Sequence, residues 1–276
     1  MIVIPKKVVE RYVNTIKRFQ PVIQSAKTRD VNESDTVIII TDMLAEVFGY
    51  DKYSEITSEF SIRGTYCDLA TKIEGKLQFL IEVKAINLDL KDSFVKQAVD
   101  YAANQGIEWV ILTNGCIWRI YKISFTKPID QELVLEFDFT TLNPKQQGHL
   151  EYLFFISKEG WVKSSIEGYH EQKQVLNKFF IAAIIQSETI IEAIRREARK
   201  IVPDIKIDAE GLREVIENEV LKREVVEGEK AEEAKKRIAK TYVKISRAKM
   251  KTANSEKHEG EEEVQAGPEA EEATTI

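Results

Sequence analysis

Charged residues inside an otherwise apolar strand require a chemical reason, and residues 77–85 (LQFLIEVKA) contain two of them. The run is apolar on both sides except at Gln78, Glu82 and Lys84, which predicts a central strand buried on both faces. Residues two apart on a strand share a face, so Glu82 and Lys84 emerge together. The midpoint of positions 68 and 82 is 75, and Gly75 lies in an expected turn, Glu74-Gly75-Lys76. The hairpin therefore brings Asp68 opposite Glu82, about 5 Å between Cβ atoms. Two half-buried carboxylates at that separation repel unless a cation lies between them. Hard oxygen donors in small number suit Mg²⁺, for which Mn²⁺ can substitute. Lys84 beside them could orient a metal-bound water and stabilise charge on a phosphate under attack.

The pattern Glu-x-Lys alone carries no weight, because Glu74/Lys76, Glu171/Lys173 and Glu233/Lys235 satisfy it too. Only the copy at 82–84 lies in a doubly buried strand with an aspartate folded opposite. The alternative is an interior cross-strand salt bridge between Lys84 and the two acids, although buried ion pairs stabilise poorly. Other chemistries find less support. His149, His170 and His258 lie outside the expected core and form no zinc-ligand pattern. The sequence contains no Gly-x-Ser-x-Gly elbow and no GxxxxGK[ST] phosphate loop, so it offers no ATP-driven motor. Cys67 and Cys116 sit in apolar strand-like stretches and read as buried free thiols.

The elements that must position these residues are legible from periodicity. Residues 5–26 read as a helix. A second helix opens at the N-cap Asn32 and runs through Val37, Ile40, Leu44, Val47 and Phe48 to a stop at Gly49. The period then shifts to near two, predicting strands over 55–62, 66–73 and 77–85 in an antiparallel meander. Residues 90–104 read as a helix. The stretches IEWVILT and CIWRIYKI flank Asn114-Gly115, read as a hairpin turn whose two residues both take positive φ. Strand, helix, strand between 77 and 113 implies a parallel, right-handed crossover. Helical segments follow at about 145–157, 170–186, 188–201, 208–226 and 229–250. The expected organisation is an α/β domain over 1–143, a helical extension over 144–251 and a disordered acidic tail over 252–276.

The net charge of −6 disfavours a nucleic-acid binder until the chain is divided. Residues 252–276 hold eight Glu and one Lys, net −7, which leaves +1 for residues 1–251. Residues 229–251 hold nine Lys or Arg against three Glu, a basic stretch or a solvated helix face. A mean hydropathy of −0.29 and the absence of an apolar run of about 18 residues exclude a spanning helix. The opening MIVIPKKVVERY is no secretory signal, and together these readings point to the cytoplasm.

The sequence resembles the stand-alone relatives of the N-terminal nuclease domain of type I restriction enzyme R subunits, within the PD-(D/E)xK superfamily. The likeness covers roughly residues 30–125. It rests on Asn32-Glu33 opening a helix that ends Phe48-Gly49-Tyr50, then Tyr66-Cys67-Asp68, then Ile81-Glu82-Val83-Lys84-Ala85. It continues through Gln97-x-x-x-Tyr101 and Leu112-Thr113-Asn114-Gly115-x-x-Trp118. Cys67 stands where the superfamily name has proline. The resemblance implies a restriction-endonuclease-like core, a mixed central sheet flanked by helices, with a C-terminal helical extension. It also implies a Mg²⁺-dependent nuclease acting on DNA, with Asp68, Glu82 and Lys84 catalytic. Asp68, Glu82, the Val83 carbonyl and Glu33 would be metal ligands, Glu46 being the rival to Glu33. Gln97 and Tyr101 would position substrate; without the likeness they read as ordinary surface or boundary residues. The partners it implies are DNA and a homo-oligomer or a helicase or other defence-system protein, with no membrane and no ATP. A non-catalytic binding module on the same fold and an RNA nuclease are the alternatives.

Overall fold

The structure is a computed structural model describing residues 2–62, 65–125, 128–243 and 245; the side chains of 59–62, 65, 66 and 97 are outside the description. It divides into two compact units, residues 1–170 and 171–276. The first is an α/β unit around a six-stranded mixed sheet with strands in chain order: β1 (Ile56–Ile62), β2 (Thr65–Ile73), β3 (Lys76–Val83), β4 (Trp109–Thr113), β5 (Ile117–Ser124) and β6 (Asp130–Asp138). All neighbours pair antiparallel except β3 and β4, which run parallel. The helix between those two, α3 (Lys96–Gln105), follows a 3₁₀ turn at Asp92–Val95, so the segment expected at 90–104 begins later and tighter.

Both faces of the sheet are covered. Leu69, Phe79, Ile81, Val83 and Ile111 join a layer with α1 (Lys6–Arg29), α2 (Glu33–Glu46) and α4 (Gln147–Ile156). Ala70, Leu80, Val110 and Leu112 join a second layer with Ala98, Val99, Tyr101 and Ala102 of α3. Alternation along β3 explains the division, and its apolar residues on both faces are what a central strand requires. Helix α4 carries Leu150, Leu153 and Phe154 into the first layer, followed by α5 (Lys158–Val162). Both short helices thus lie in the first unit, beyond the expected boundary at 143.

Two turns differ from their sequence expectation. Between β2 and β3 the turn is two residues, Glu74 and Gly75, with φ of 51° and 76°; Lys76 already pairs with Ile73. A plain ladder from that turn would set Asp68 opposite Ile81, on the wrong face. The register instead shifts between Thr71 and Lys72: Leu77 faces Lys72, Phe79 faces Thr71, and Ile81 faces Leu69. Gln78 is the additional residue of a β-bulge, and it restores Asp68 and Glu82 as the next residues along the ladder. Gln78 and its neighbour Phe79 both meet Trp161 of α5: the indole N–H donates to Gln78 Oε1 (2.6 Å), and the rings of Phe79 and Trp161 lie 5.0 Å apart. Between β4 and β5, only Gly115 has a positive φ (84°). Asn114 closes that turn with its side chain, Oδ1 accepting from Cys116 N (3.1 Å) and Ile117 N (2.9 Å). The turn is therefore not the two-residue hairpin that Asn-Gly suggests, and β5 starts at Ile117.

The second unit is helical: α6 (Ser165–Val175) leads into it, followed by α7 (Lys178–Ile185), α8 (Glu188–Ile201), α9 (Ala209–Val215), a π turn at Ile216–Val220 and α10 (Arg223–Val226). Residues 229–243 are helical as well. Its cores are small, with Ala182, Val225 and Val226 in one and Ala183, Ala234 and Ile238 in another. Among the described residues no helix is long and apolar enough to cross a membrane. Residues 252–276, Arg63 and Gly64 lie outside the described residues.

Candidate active site

The C-terminal ends of the two parallel strands, β3 and β4, are where an open α/β sheet offers a crevice. Asp68, Glu82 and Lys84 meet at that end. Asp68 Oδ2 accepts from the backbone N–H of Val83 (2.7 Å), which fixes its carboxylate against β3. Lys84 Nζ lies 2.8 Å from Glu82 Oε1 and 3.3 Å from Glu33 Oε2. The Lys84 and Glu82 side chains are 15% and 12% exposed, and Glu33 is 47% exposed. Glu33 arrives because Asn32 caps α2, its side chain accepting from Asp35 N (2.9 Å), so the first helical residue faces the end of β3. Glu46 pairs with Arg18 at the other end of α2 and takes no part.

The electrostatics are unbalanced. Burial raises the pKa of Asp68, and Glu33 adds to that; the Val83 N–H and Lys84 oppose it without cancelling it. Burial likewise raises Glu82, against the hydrogen bond from Lys84 and with the repulsion of Asp68 and Glu33. Burial pulls Lys84 down, but the hydrogen bond to Glu82 and the attraction of all three carboxylates leave it raised. Lys84 is thus paired with Glu82, and at Glu82 burial and the neighbouring acids outweigh that pairing. One lysine serves three acids, leaving two negative charges uncompensated. A simple ion pair would not need the other two acids.

Among the described residues no group of three or more His, Cys, Asp or Glu is arranged to hold a metal ion. The donor set that fits is the pair Asp68 and Glu82, each with one oxygen engaged by a donor (Val83 N and Lys84 Nζ). Two carboxylates suffice for Mg²⁺, which completes its shell with water or substrate oxygens. Glu33 touches the site through Lys84.

No family model, curated protein or solved structure matches this chain. The site therefore has to be judged on its own geometry. Tyr101 is only 6% exposed, within the layer between α3 and the sheet, and its pKa is raised by burial and by the Cys67 thiol. It sits on the face that carries Asp68 and Glu82 but not at the surface. The Gln97 side chain lies outside the described residues; its backbone is one turn earlier in α3. Cys67 and Cys116 are free and buried. The Cys67 thiol, donating to Ile81 O (3.2 Å), is pushed up to about 12 by burial and is no nucleophile.

A cleft of about 420 Å³ lies at the other end of the sheet, lined by residues including Glu74, Gln78, Glu108, Trp109, Trp161 and Glu167. Several of its polar groups are paired: Trp161 with Gln78, Trp109 with Glu167 (2.8 Å) and Glu108 with Lys122. The three acids around Lys84 lie at the opposite end of β3 from this cleft. The sequence marks Thr113 and Asn114 within the run Leu112-Thr113-Asn114-Gly115 but not what they hold, and it does not mark Trp161. Their roles run through backbone partners and through a bulge, neither of which has a residue-type pattern.

Proposed function

We propose that this chain is a Mg²⁺-dependent phosphodiesterase acting on DNA, built on a PD-(D/E)xK-like core of the kind found in type I restriction R subunits. The observation that carries this reading is the meeting of Asp68, Glu82 and Lys84 at the end of the central strand, with two negative charges in excess. Asp68 and Glu82 would hold the ion, which would supply Lewis-acid polarisation of a phosphoryl oxygen and a bound water for attack. The Val83 amide keeps Asp68 in one orientation. The Lys84 ammonium, held between Glu82 and Glu33, is placed to donate to a phosphate oxygen on which charge develops.

The 2.8 Å contact of Lys84 with Glu82 favours a second reading, a structural ion pair on a non-catalytic module. One experiment separates the two. The full chain is incubated with plasmid, linear duplex, single-stranded DNA and RNA, each with Mg²⁺, Mn²⁺ or EDTA, beside Lys84→Ala. Metal-dependent DNA cleavage that falls at least about 10²-fold in folded Lys84→Ala supports the proposal. Undiminished cleavage by that variant sinks the site assignment, RNA cleavage reassigns the substrate, and binding without cleavage favours the module.

A further inference from the structure

Two consecutive residues of β4's end hold both ends of the segment that carries Lys84 out of the sheet. The Lys84 amide donates to Thr113 O (2.9 Å). Four residues later the Leu88 carbonyl accepts from Asn114 Nδ2 (3.0 Å). Between them Leu88 N donates to Ala85 O (2.9 Å), closing a turn. From outside, Asn87 Nδ2 donates to Lys27 O (2.9 Å) and Asp30 Oδ1 (2.8 Å) at the end of α1.

Asn114 is 6% exposed and Thr113 fully buried. The Asn114 side chain works in two directions: its Oδ1 takes both turn amides, of Cys116 and Ile117, and its Nδ2 takes Leu88. Turning the amide over would set donor against donors, so it has one orientation. Thr113 Oγ1 in turn donates to Ile117 O (2.8 Å) and accepts from Gly115 N (3.0 Å), locking the same turn. Closing this turn calls for an acceptor only, and aspartate or serine could provide one. The amide donor is needed only by Leu88.

We propose that Asn114, together with the Thr113 carbonyl, is a positioning residue for Lys84. The clamp fixes where the Lys84 side chain leaves the sheet, so that one ammonium reaches Glu82 and Glu33 at once. The significance for cleavage rests on the nuclease reading of Lys84; the clamp itself does not.

The test uses the full chain and two variants. Asn114→Asp keeps an acceptor for the turn amides and sets a carboxylate oxygen against the Leu88 carbonyl. Asn114→Ser keeps an acceptor and loses the reach to Leu88. Lysines of the folded proteins are acylated competitively at one pH and quantified by mass spectrometry, with Lys122 and Lys158 as references because they too are ion-paired, to Glu108 and Glu55. The clamp predicts that Lys84 labels several-fold faster in both variants while the references do not change. Where the wild type cleaves DNA, kcat should fall about tenfold to a hundredfold with KM nearly unchanged. Wild-type labelling of Lys84 in a folded variant overturns the clamp. If Asn114→Asp does not fold, Asn114→Ser decides; if neither folds, Asn114 serves the fold and the positioning role is withdrawn. A wild type that cleaves no nucleic acid removes the nuclease reading and leaves the labelling to decide the clamp.

Discussion

At the scale of single residues, charge in a confined space defines the site. Asp68 and Glu82 both come next after the Leu69–Ile81 pair of the β2–β3 ladder, one on each strand, and Lys84 neutralises only part of what they and Glu33 bring. Two acids sharing one cation each contribute to its affinity. Asp68→Asn and Glu82→Gln should therefore each weaken Mn²⁺ binding, by about tenfold or more, in calorimetric titration of folded protein. Asn at 68 still accepts from the Val83 amide, so the loss would report charge and not misfolding. Unchanged affinity in both variants would favour the structural ion pair. The three residues at the centre were legible because a charge in a two-sided apolar strand is conspicuous. Thr113 and Asn114 were legible as a turn and as part of the Leu112-Thr113-Asn114-Gly115 run, not as partners of the Lys84 segment. What they hold is the Lys84 amide and the Leu88 carbonyl, and backbone partners leave no mark in a residue pattern.

At the scale of elements, packing rests on a few polar ties as well as on the apolar layers. Arg11 of α1 reaches two neighbours: Nε donates to Val47 O (2.9 Å), and the two terminal nitrogens grip Glu159 of α5 at 2.6 and 2.7 Å. Gly49 is needed beside it, since φ is +82° and a Cβ would stand 2.7 Å from the guanidinium. Burial pushes the Glu159 pKa up, but the Arg11 hydrogen bond and charge outweigh it and hold it below its ordinary value. A carboxylate depressed in the folded state contributes stability above its unfolded pKa and loses it as pH falls through the folded one. Glu159→Gln should thus lower Tm near neutral pH by about 2–4 °C, if the forked pair contributes about 1 kcal/mol. The gap should close below about pH 4, where the native carboxylate is losing its charge. A gap that persists unchanged at lower pH would show that the contact is steric. The stops and caps that frame these ties, Asn32 and Gly49, were readable because each has a backbone reason to be that residue. By contrast β6, with charges at Asp130, Glu132, Glu136 and Asp138, was left without an assignment, and α5 was too short to show a period. The break at Asn177, which caps α7 by accepting from Phe180 N (2.9 Å), divides what periodicity joined over 170–186.

At the scale of the whole molecule, charge is distributed along the chain more unevenly than its net value suggests. Residues 229–243 form a helix that buries Ala231, Ala234 and Ile238 and leaves Lys236 and Lys240 exposed. Lys235 pairs with Glu232 (3.3 Å) and Arg237 donates to Gln174 (3.3 Å), so local contacts account for part of the basic stretch. Lys244 and Arg247 lie outside the described residues. Residues 252–276 carry net −7, and removing them takes the chain from −6 to +1. Cations that contact phosphates release counterions, so binding to DNA must fall steeply with salt. A strongly negative stretch joined directly to those cations opposes the same phosphates at any distance shorter than the Debye length, about 10 Å at 0.1 M salt and longer below it. Deleting residues 252–276 should tighten non-specific DNA binding at low ionic strength, and the gain should shrink as salt is added. Fluorescence anisotropy with a labelled duplex across a salt series measures both. Equal affinity of the truncated and full chains at low salt would mean that the basic helix face is merely solvated, and would leave the site at Asp68, Glu82 and Lys84 untouched because it stands on the first unit alone.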